Sequence, residues 1–332
     1  MSARYRPLSA SAAPDRDLAR LLPLLAPGRI GAWADAETFR EGLAQGEYRP
    51  EWTWIAETDG ELRAVALWWG PPHATAPSVL NTLHVQHPAD TAPDEERSAR
   101  ATAVAAGLLT AAHTAYAAKG QQTPPEYHVL LPPDWRDRPA ALAALTWRRA
   151  AAEQAGLTVP LERLRYEWTG GTGTVPRPSP RLRFRPEPDD EVFAGLFRRA
   201  LDGTLDVTSR TEAAIRGAEA QARDDLAFYR DDMQGERAWW RVAETPGGEP
   251  VGFALPSRNT GSHVVGYLGV LPEHRGHGYV DDLLAEITRL LAEEAGADLI
   301  RADTDLPNRP MAAAFTRLGY RNFARRLILS AP

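Results

Sequence analysis

The sequence predicts a two-domain α/β protein that arose by tandem duplication. Short segments recur in the same order in the two halves of the 332-residue chain, and each half alternates strand-like with helix-like patterns. Between the halves, residues 170–180 consist mainly of Gly, Thr, Ser and Pro, a composition typical of a linker. We therefore expect domains at residues 1–172 and 181–332, joined by a linker at residues 173–180.

The repeated segments include a β-hairpin in each half. Trp52–Thr58, followed by the turn Asp59-Gly60, corresponds to Trp239–Thr245, followed by the turn Gly247-Gly248. The remaining pairs are Tyr5-Arg6-Pro7 with Phe184-Arg185-Pro186, Leu83-His84-Val85 with Leu268-Gly269-Val270, and Arg138-Pro139 with Arg309-Pro310. Chance can produce any single pair, but the shared order of all of them favours duplication.

The composition indicates a globular chain and excludes several classes of function. It is 43% hydrophobic and 25% charged, and no apolar run approaches the roughly 18 residues of a membrane span. The absence of cysteine excludes disulfides, thiolate metal sites and a cysteine nucleophile. A net charge of -6 argues against broad nucleic-acid binding, and no signal-peptide pattern opens the sequence. We expect a cytoplasmic monomer or homodimer that binds no metal, nucleic acid or membrane.

The most informative stretch leads from a strand through a glycine-bearing loop into a helix. The strand ends at Leu268-Gly269-Val270, the loop is Arg275-Gly276-His277-Gly278, and the helix begins near Tyr279 and Val280. Glycines at such a turn let backbone N–H groups converge on an anion, and the helix N-terminus adds partial positive charge. The stretch therefore predicts a cradle for a pyrophosphate.

The helix after this loop is supported by its own periodicity. Apolar residues recur at helical spacing: Val280, Leu283, Leu284, Ile287, Leu290 and Leu291. Asp281 and Asp282 fall in the first turn, where the helix dipole favours negative charge. Gly296 is placed to end the helix.

At these residues the chain resembles a family. Arg275-x-x-Gly278-x-Val280 is similar to the R/Q-x-x-G-x-G/A loop with which acyltransferases of the GNAT (GCN5-related N-acetyltransferase) superfamily hold the pyrophosphate of acyl-coenzyme A. The resemblance implies that Leu268, Gly269 and Val270, together with the loop, contact the cofactor. One position departs from the pattern, because Val280 stands where the family has Gly or Ala. Its β-branched side chain would crowd the start of the helix against the cofactor.

A second motif follows about 30 residues later by numbering. A helix that begins near Asn308, with Pro310 in its first turn and Gly319 just past its end, fits the rules for helix starts and stops. It resembles the family's N-x-x-A-x-x-x-Y-x-x-x-G-F segment, in which the Asn touches the pantetheine arm. The family's general-acid tyrosine corresponds to Phe315, which cannot donate a proton, and the final aromatic residue corresponds to Tyr320.

The resemblance implies two tandem GNAT-like domains, each a mixed, mostly antiparallel sheet flanked by helices. The first copy looks degenerate, because residues 89–96 lack glycine and carry four carboxylates where phosphates would lie. Like charge beside a pyrophosphate is repulsive, so we expect no coenzyme A binding through that loop. The first domain then either shapes the acceptor cleft of the second or is purely structural.

The acceptor side of the second domain should lie beside residues 186–233. Thr204–Arg210 has the composition of a loop, and Gly217–Tyr229 has a helical pattern. That helix carries Glu219, Asp224 and Asp225, which suit either an acidic lining for a cationic amine or a solvated charged face.

Candidate catalytic groups are few. The backbone N–H of Val270 is the expected donor that polarises the thioester carbonyl. The family's glutamate near the start of this strand is missing, so His263, Tyr267 and Glu244 are the candidates for proton transfer. The first two also have a structural alternative. His263 would be a surface histidine, and Tyr267 a residue packed in the sheet.

The sequence thus predicts an N-acyltransferase that moves acetyl, or another acyl group, from acyl-coenzyme A to the amine of a small molecule or peptide by direct attack. Two alternatives stay open. One is a long-chain acyltransferase of natural-product biosynthesis, with coenzyme A or an acyl carrier protein as donor. The other is a non-catalytic module that binds coenzyme A and has a binding or regulatory role.

Overall fold

The computed structural model describes residues 3–86, 94–171 and 173–332. They form two compact units. Unit 1 comprises Met1–Glu162 and Ala324–Pro332, and unit 2 comprises Arg163–Phe323. The predicted linker at residues 173–180 lies within unit 2 by this division, and the predicted domain boundary stays a prediction.

The first half of the chain supplies the following elements in order: β1 (Arg4–Pro7), α1 (Pro14–Leu21), α2 (Ala36–Gln45), β2 (Thr53–Thr58), β3 (Glu61–Trp69), β4 (Val79–Val85), α3 (Asp94–Ala117), β5 (Glu126–Leu131), α4 (Pro139–Gln154) and β6 (Val159–Thr169).

The second half repeats this order with one additional helix: β7 (Arg183–Pro186), α5 (Asp190–Ala200), α6 (Val207–Arg216), α7 (Ala218–Ala227), β8 (Arg241–Glu244), β9 (Pro250–Arg258), β10 (His263–Val270), α8 (Tyr279–Glu293), β11 (Leu299–Asp305), α9 (Arg309–Arg317) and β12 (Arg321–Ser330). The repeated order confirms the tandem repeat that the sequence predicts. None of the helices in the described part of the chain has the length and apolar content of a membrane span.

The sheet of unit 1 runs in the order β1-β2-β3-β4-β5-β12. Its pairings are antiparallel except that β4 and β5 are parallel. The β2–β3 hairpin turns at Asp59 and Gly60, whose φ values of 55° and 76° are those of the primed turns that suit tight hairpins. Helices α3 and α4 supply part of one apolar core, and α1 and α2 supply part of another.

The sheet of unit 2 runs in the order β6-β11-β10-β9-β8-β7 and is also antiparallel, except that β10 and β11 are parallel. Side chains of α8 and α9 lie in one apolar core with residues of β6, β9 and β11. Side chains of α5 and α7 lie in another, around Phe253 and Trp240. The mixed, mostly antiparallel sheet flanked by helices is therefore confirmed for both units.

One local prediction was wrong. Thr204–Arg210 was expected to be a loop, but α6 begins at Val207. The Asp206 carboxylate accepts a hydrogen bond from the Ser209 N–H at 2.7 Å, which is the geometry of a helix N-cap.

Candidate functional site

The glycine-bearing loop of unit 2 has the backbone that the sequence predicts. Gly276 and Gly278 have φ values of 82° and 75°, in the left-handed region that favours glycine, and Gly278 is the N-cap of α8. A Cβ atom at Gly276 would meet nothing within 4 Å, and one at Gly278 would meet only the Arg181 guanidinium at 3.9 Å. The outer side of the loop is therefore open, at the positive end of a 15-residue helix.

The strand that leads into this loop, β10, pairs with β9 along its length but with β11 only near its start. Among the described residues of unit 2, the parallel pairing of β10 with β11 includes His263 and Val264. The register with β9 shifts between Val265 and Tyr267, so Gly266 is the extra residue of a β-bulge. Although β10 is an interior strand, most of its residues are only half-buried. The far end of β10 therefore borders an opening, and the loop begins there.

Gly266 and Tyr229 hold this bulge. A Cβ at Gly266 would lie 2.5 Å from the Leu255 carbonyl oxygen, so the position accepts only glycine. The Tyr229 hydroxyl donates to the Gly266 carbonyl at 2.9 Å. The π-helix Phe228–Asp232, which extends α7, is thereby anchored to the middle of β10.

Arg275 supports the loop from behind. Its guanidinium donates to the Val270 carbonyl at 3.1 Å, to the Ala200 carbonyl at 2.8 Å and to the Asp202 carbonyl. Ala200 is the last residue of α5, where a cation satisfies free carbonyls. Arg275 therefore ties the loop to β10 and α5, and three of its five N–H donors are used within the protein.

Sequence reasoning missed Arg181, which holds the other side of the loop. Its guanidinium donates to the carbonyls of His277 at 2.9 Å and Gly278 at 3.2 Å, and it pairs with Asp282 in the first turn of α8. It also lies 4.8 Å from the centre of the Tyr279 ring. Arg181 therefore satisfies two carbonyls of the loop and joins the loop to the first turn of α8.

Ser179 completes this support. Its hydroxyl donates to Asp282 at 2.7 Å and accepts from the N–H groups of Arg181 and Leu182. The available sequence signal was a serine near the end of the predicted linker, an arginine two residues later, and an aspartate in the first helical turn. That signal does not show that the two segments meet.

The second motif folds as predicted around its helix, α9. The Asn308 side chain accepts from the Met311 N–H at 3.3 Å, and Gly319 has a φ of 81° just past the helix. Phe315 is 1% exposed and stacks on Tyr166, with ring centres 4.8 Å apart. A ring buried in the core offers no surface to a ligand, so a contact between Phe315 and the pantetheine arm stays a prediction.

The three candidate catalytic residues lie apart. His263 begins β10 opposite Arg258, and burial together with Arg258 lowers its pKa. Glu244 ends β8, two strands from β10, and pairs with Arg185 at 2.7 Å. Tyr267 follows the bulge and stacks on Phe253, with ring centres 5.5 Å apart, and burial raises the pKa of its hydroxyl.

The acidic residues of α7 divide into two groups. Glu219 pairs with Arg223, and Asp224 pairs with Arg216, so both belong to a solvated charged face. Asp225 is half-buried, its Oδ1 accepts from the Gln221 amide at 2.9 Å, and its Oδ2 is buried with no partner among the residues described. Burial, with repulsion from Asp206 and Asp224, raises its pKa to about 6.

Asp225 lies near the bulge. Its charge acts on the hydroxyls of both Tyr229 and Tyr267, whose rings are 6.1 Å apart. Asp206 lies in the same neighbourhood, 3.7 Å from Arg163, which donates to Asp305 at 2.7 Å. The structure thus collects carboxylates and tyrosines beside the middle of β10.

Comparisons with known proteins agree with this geometry. Residues 207–320 match the family model described as the Acetyltransferase (GNAT) family. No curated protein matches the chain significantly. Among solved structures, a tandem GNAT protein from the clavulanic acid biosynthesis pathway has a TM-score of 0.51 at 19% identity, covering 99% of this chain and 98% of that one.

Two further structures resemble the whole chain. A GCN5-related N-acetyltransferase from Sphaerobacter thermophilus has a TM-score of 0.57 at 16% identity, covering 98% of this chain and 94% of that one. A glucosamine N-acetyltransferase region of a fungal multi-domain GH3 β-N-acetylglucosaminidase has a TM-score of 0.54 at 12% identity, covering 98% of this chain and 38% of that one. At these identities the likeness concerns the fold alone.

Residues 207–320 thus match the GNAT acetyltransferase family model, and the fold of the chain is similar to that of a tandem GNAT protein. The family match supports an acyl-transfer role. The acidic loop of the first half, residues 89–96, was expected not to bind coenzyme A. It lies outside the matched residues 207–320, and residues 89–93 of it lie outside the described residues as well.

Proposed function

We propose that unit 2 transfers an acyl group, most simply acetyl, from acyl-coenzyme A to an amine by direct attack, without a covalent enzyme intermediate. The observation that supports this most is the pair of left-handed glycines, Gly276 and Gly278, at the N-terminus of α8 beside the open end of β10. The loop would bind the pyrophosphate through backbone N–H groups and the helix dipole. Arg181 and Arg275 would keep the loop in that conformation.

The backbone of β10 also supplies a donor for the thioester carbonyl. The Leu271 N–H donates to the Val251 carbonyl of β9 at 2.9 Å. Successive N–H groups of an extended chain point to opposite sides, so the Val270 N–H points away from β9, toward the side where pairing with β11 has ended. A donor placed there can stabilise the oxyanion that forms when the amine attacks.

Asp225 is the group best placed to receive the amine and its proton. A carboxyl whose pKa is about 6 is ionised near neutral pH, yet it is basic enough to take a proton in the reaction. The alternatives are less well placed. Seven residues of strand, or about 23 Å at 3.3 Å per residue, separate His263 from Val270, and Glu244 is held by Arg185. Tyr267 is the one of the three early candidates that adjoins Asp225.

The simplest test is to incubate the purified protein with acetyl-coenzyme A and a panel of amines and to measure thiol release. Native mass spectrometry of the same preparation would show any co-purified acyl-coenzyme A and its chain length. Binding of acetyl-coenzyme A with one site per chain is expected. The absence of binding at millimolar concentration would refute the proposal.

Arg181 offers a test of the loop geometry. We expect Arg181→Gln to raise the Kd for acetyl-coenzyme A about tenfold, or about 1.4 kcal/mol. The carbonyls of His277 and Gly278 lose the Arg181 donor, and the buried Asp282 loses its cation. The Gly278 carbonyl keeps only the Asp281 N–H. The turnover of bound substrate should change little. Calorimetry measures the Kd, and Arg183→Gln, two residues away on an exposed position, is the control. Equal Kd values for the two variants would contradict the role of Arg181.

Phe315 offers a test of the missing general acid. With no hydroxyl at this position, water or the ammonium that the attacking amine forms must protonate the leaving thiolate. We expect Phe315→Tyr to leave turnover per folded molecule unchanged, and to lower the free energy of unfolding by about 1–3 kcal/mol because a hydroxyl is buried against Tyr166. Denaturant titration and steady-state kinetics on one preparation check both expectations, with Phe315→Leu as the apolar control. A large gain in turnover in the tyrosine variant would show instead that the position reaches the leaving group.

A further inference from the structure

A cavity in unit 1 has a lining that the acyl-transfer proposal does not use. It has a volume of about 370 Å³ and lies beside the end of β4, between α3 and α4. Its described lining residues include Arg29, His84, Arg97 and Arg148, and no acidic residue is among them. Its other walls are largely apolar, with Val85 and Trp147.

Arg148 is the central residue of this cavity. It is 5% exposed, and its guanidinium donates to the Ala144 carbonyl at 2.8 Å and the Leu83 carbonyl at 3.0 Å. Its Nε has no hydrogen-bond partner in the described parts of the chain, and no carboxylate is paired with it there. A buried cation without a counter-ion is costly. Burial lowers the pKa of Arg148, and repulsion from Arg29 adds to this, while the neighbouring Tyr127 hydroxyl offsets part of it. An anion in the cavity would relieve this cost.

The segment that contains Arg29 packs closely against the guanidinium of Arg148. Gly31 has a φ of 82°, and a Cβ at this position would lie 2.6 Å from the Arg148 Nε, so glycine is needed for the arginine to fit. The Gly31 N–H donates to the Leu130 carbonyl of β5 at 2.8 Å, which fixes the segment. The Arg29 guanidinium then lies 3.4 Å from His84 Nδ1 at the cavity wall. Arg29 and Arg148 therefore lie side by side in one wall of the cavity.

The lining also defines the kind of anion. The guanidinium of Arg148 lies 4.1 Å from the centre of the Trp147 ring, so a charged group at Arg148 would have an apolar surface beside it. The described lining contains no glycine, and the donors that it offers to an anion are side chains. A volume of about 370 Å³ is at the small end of ligand cavities, which span roughly 300–1,000 Å³.

We propose that unit 1 binds a small organic oxyanion, a phosphate ester or a carboxylate with a compact apolar body, between Arg29 and Arg148. This ligand is distinct from acyl-coenzyme A. The duplicated fold then holds two different anion sites, of which unit 2 uses loop N–H groups and unit 1 uses guanidinium groups.

The test uses the full chain with Gly278→Asp, so that the loop of unit 2 is disabled and the result does not depend on the acyl-transfer proposal. Phenyl phosphate and benzoate are titrated separately by calorimetry, and the tighter of the two identifies the head group. We expect one site per chain with a Kd below 1 mM, on the order expected for a small ligand with two charged contacts. The Kd should rise with added salt.

Variants locate the site. Arg29 is exposed, so Arg29→Gln should preserve the fold and weaken binding about tenfold. Arg149→Gln is the matched control, because Arg149 is the next residue of α4, is exposed and pairs with Glu153. Its Kd should stay unchanged. Arg148→Gln should abolish binding if that variant folds.

Three results would overturn the proposal: no heat with either probe at 10 mM, about ten times the expected upper bound; the same Kd for the Arg29 and Arg149 variants; or displacement of the bound probe by coenzyme A in the Gly278→Asp background. The last would mean that the cavity is a second cofactor site. Loss of acyl transfer in Gly278→Asp with probe binding intact is the expected combination.

Discussion

Gly278→Asp should weaken acetyl-coenzyme A binding at least tenfold, which corresponds to about 1.4 kcal/mol or more. The substitution places a carboxylate at the N-cap of α8, where the proposed pyrophosphate would lie. The new carboxylate would also compete with Asp282 for Arg181, whose guanidinium is 3.9 Å from the Cβ position. Both effects act in the same direction, because one repels the phosphates and the other loosens the loop.

The matched control is Gly278→Asn. Asparagine has the same size and tolerates a φ of 75° about as well as aspartate does, so backbone strain is common to both variants. The difference between their Kd values then measures charge alone. Calorimetry should give one site per chain for the wild type, a moderate loss for asparagine and a larger loss for aspartate. Identical affinities for the two variants would show that no anion is bound at this turn.

Local patterns allowed much of the fold to be predicted. The β2–β3 hairpin depends on an Asp-Gly turn, and α8 and α9 depend on helical periodicity with glycine ends, all of which lie within a few neighbouring residues. The strand partners of β6 and β12 have no such local signal. β12 pairs with β5, which is about 200 residues away in sequence, and β6 pairs with β11. Pairings of this kind are decided by tertiary packing.

The candidate site could likewise be predicted from the sequence only in part. The left-handed glycines could be predicted because glycine is the residue that such a turn needs. Arg181 could not, because its partners are almost 100 residues away. Asp224 and Asp225 look alike in sequence, yet adjacent helical positions point about 100° apart, so one pairs with Arg216 and the other faces the protein. Phe315 matches the motif position of a tyrosine, but sequence does not show that its ring is buried.

Asp225→Asn should have opposite effects on activity and stability. If this carboxylate receives the proton of the attacking amine, its loss should lower kcat/KM by about 10²–10⁴-fold. The wild-type kcat/KM should rise as pH increases through about 6, the pKa of Asp225, because the ionised form is the active one. That rise should disappear in the variant. Asp224→Asn, which removes an exposed carboxylate paired with Arg216, is the control and should keep both the rate and the profile.

The sign of the stability change follows from the direction of the pKa shift. The pKa of Asp225 is raised from 3.8 to about 6, so the folded state holds the proton more tightly than the unfolded state. Wild-type stability should therefore fall as pH rises from about 4 to 6, and the cost of the buried charge should be fully present above that range. Asp225→Asn removes this cost and should raise the free energy of unfolding at pH 8 by about 2 kcal/mol, with little change at pH 4. Denaturant titrations at the two pH values measure it. A variant that is less stable at pH 8 and equally active would show that Asp225 is a structural hydrogen-bond acceptor for Gln221 and takes no part in the reaction.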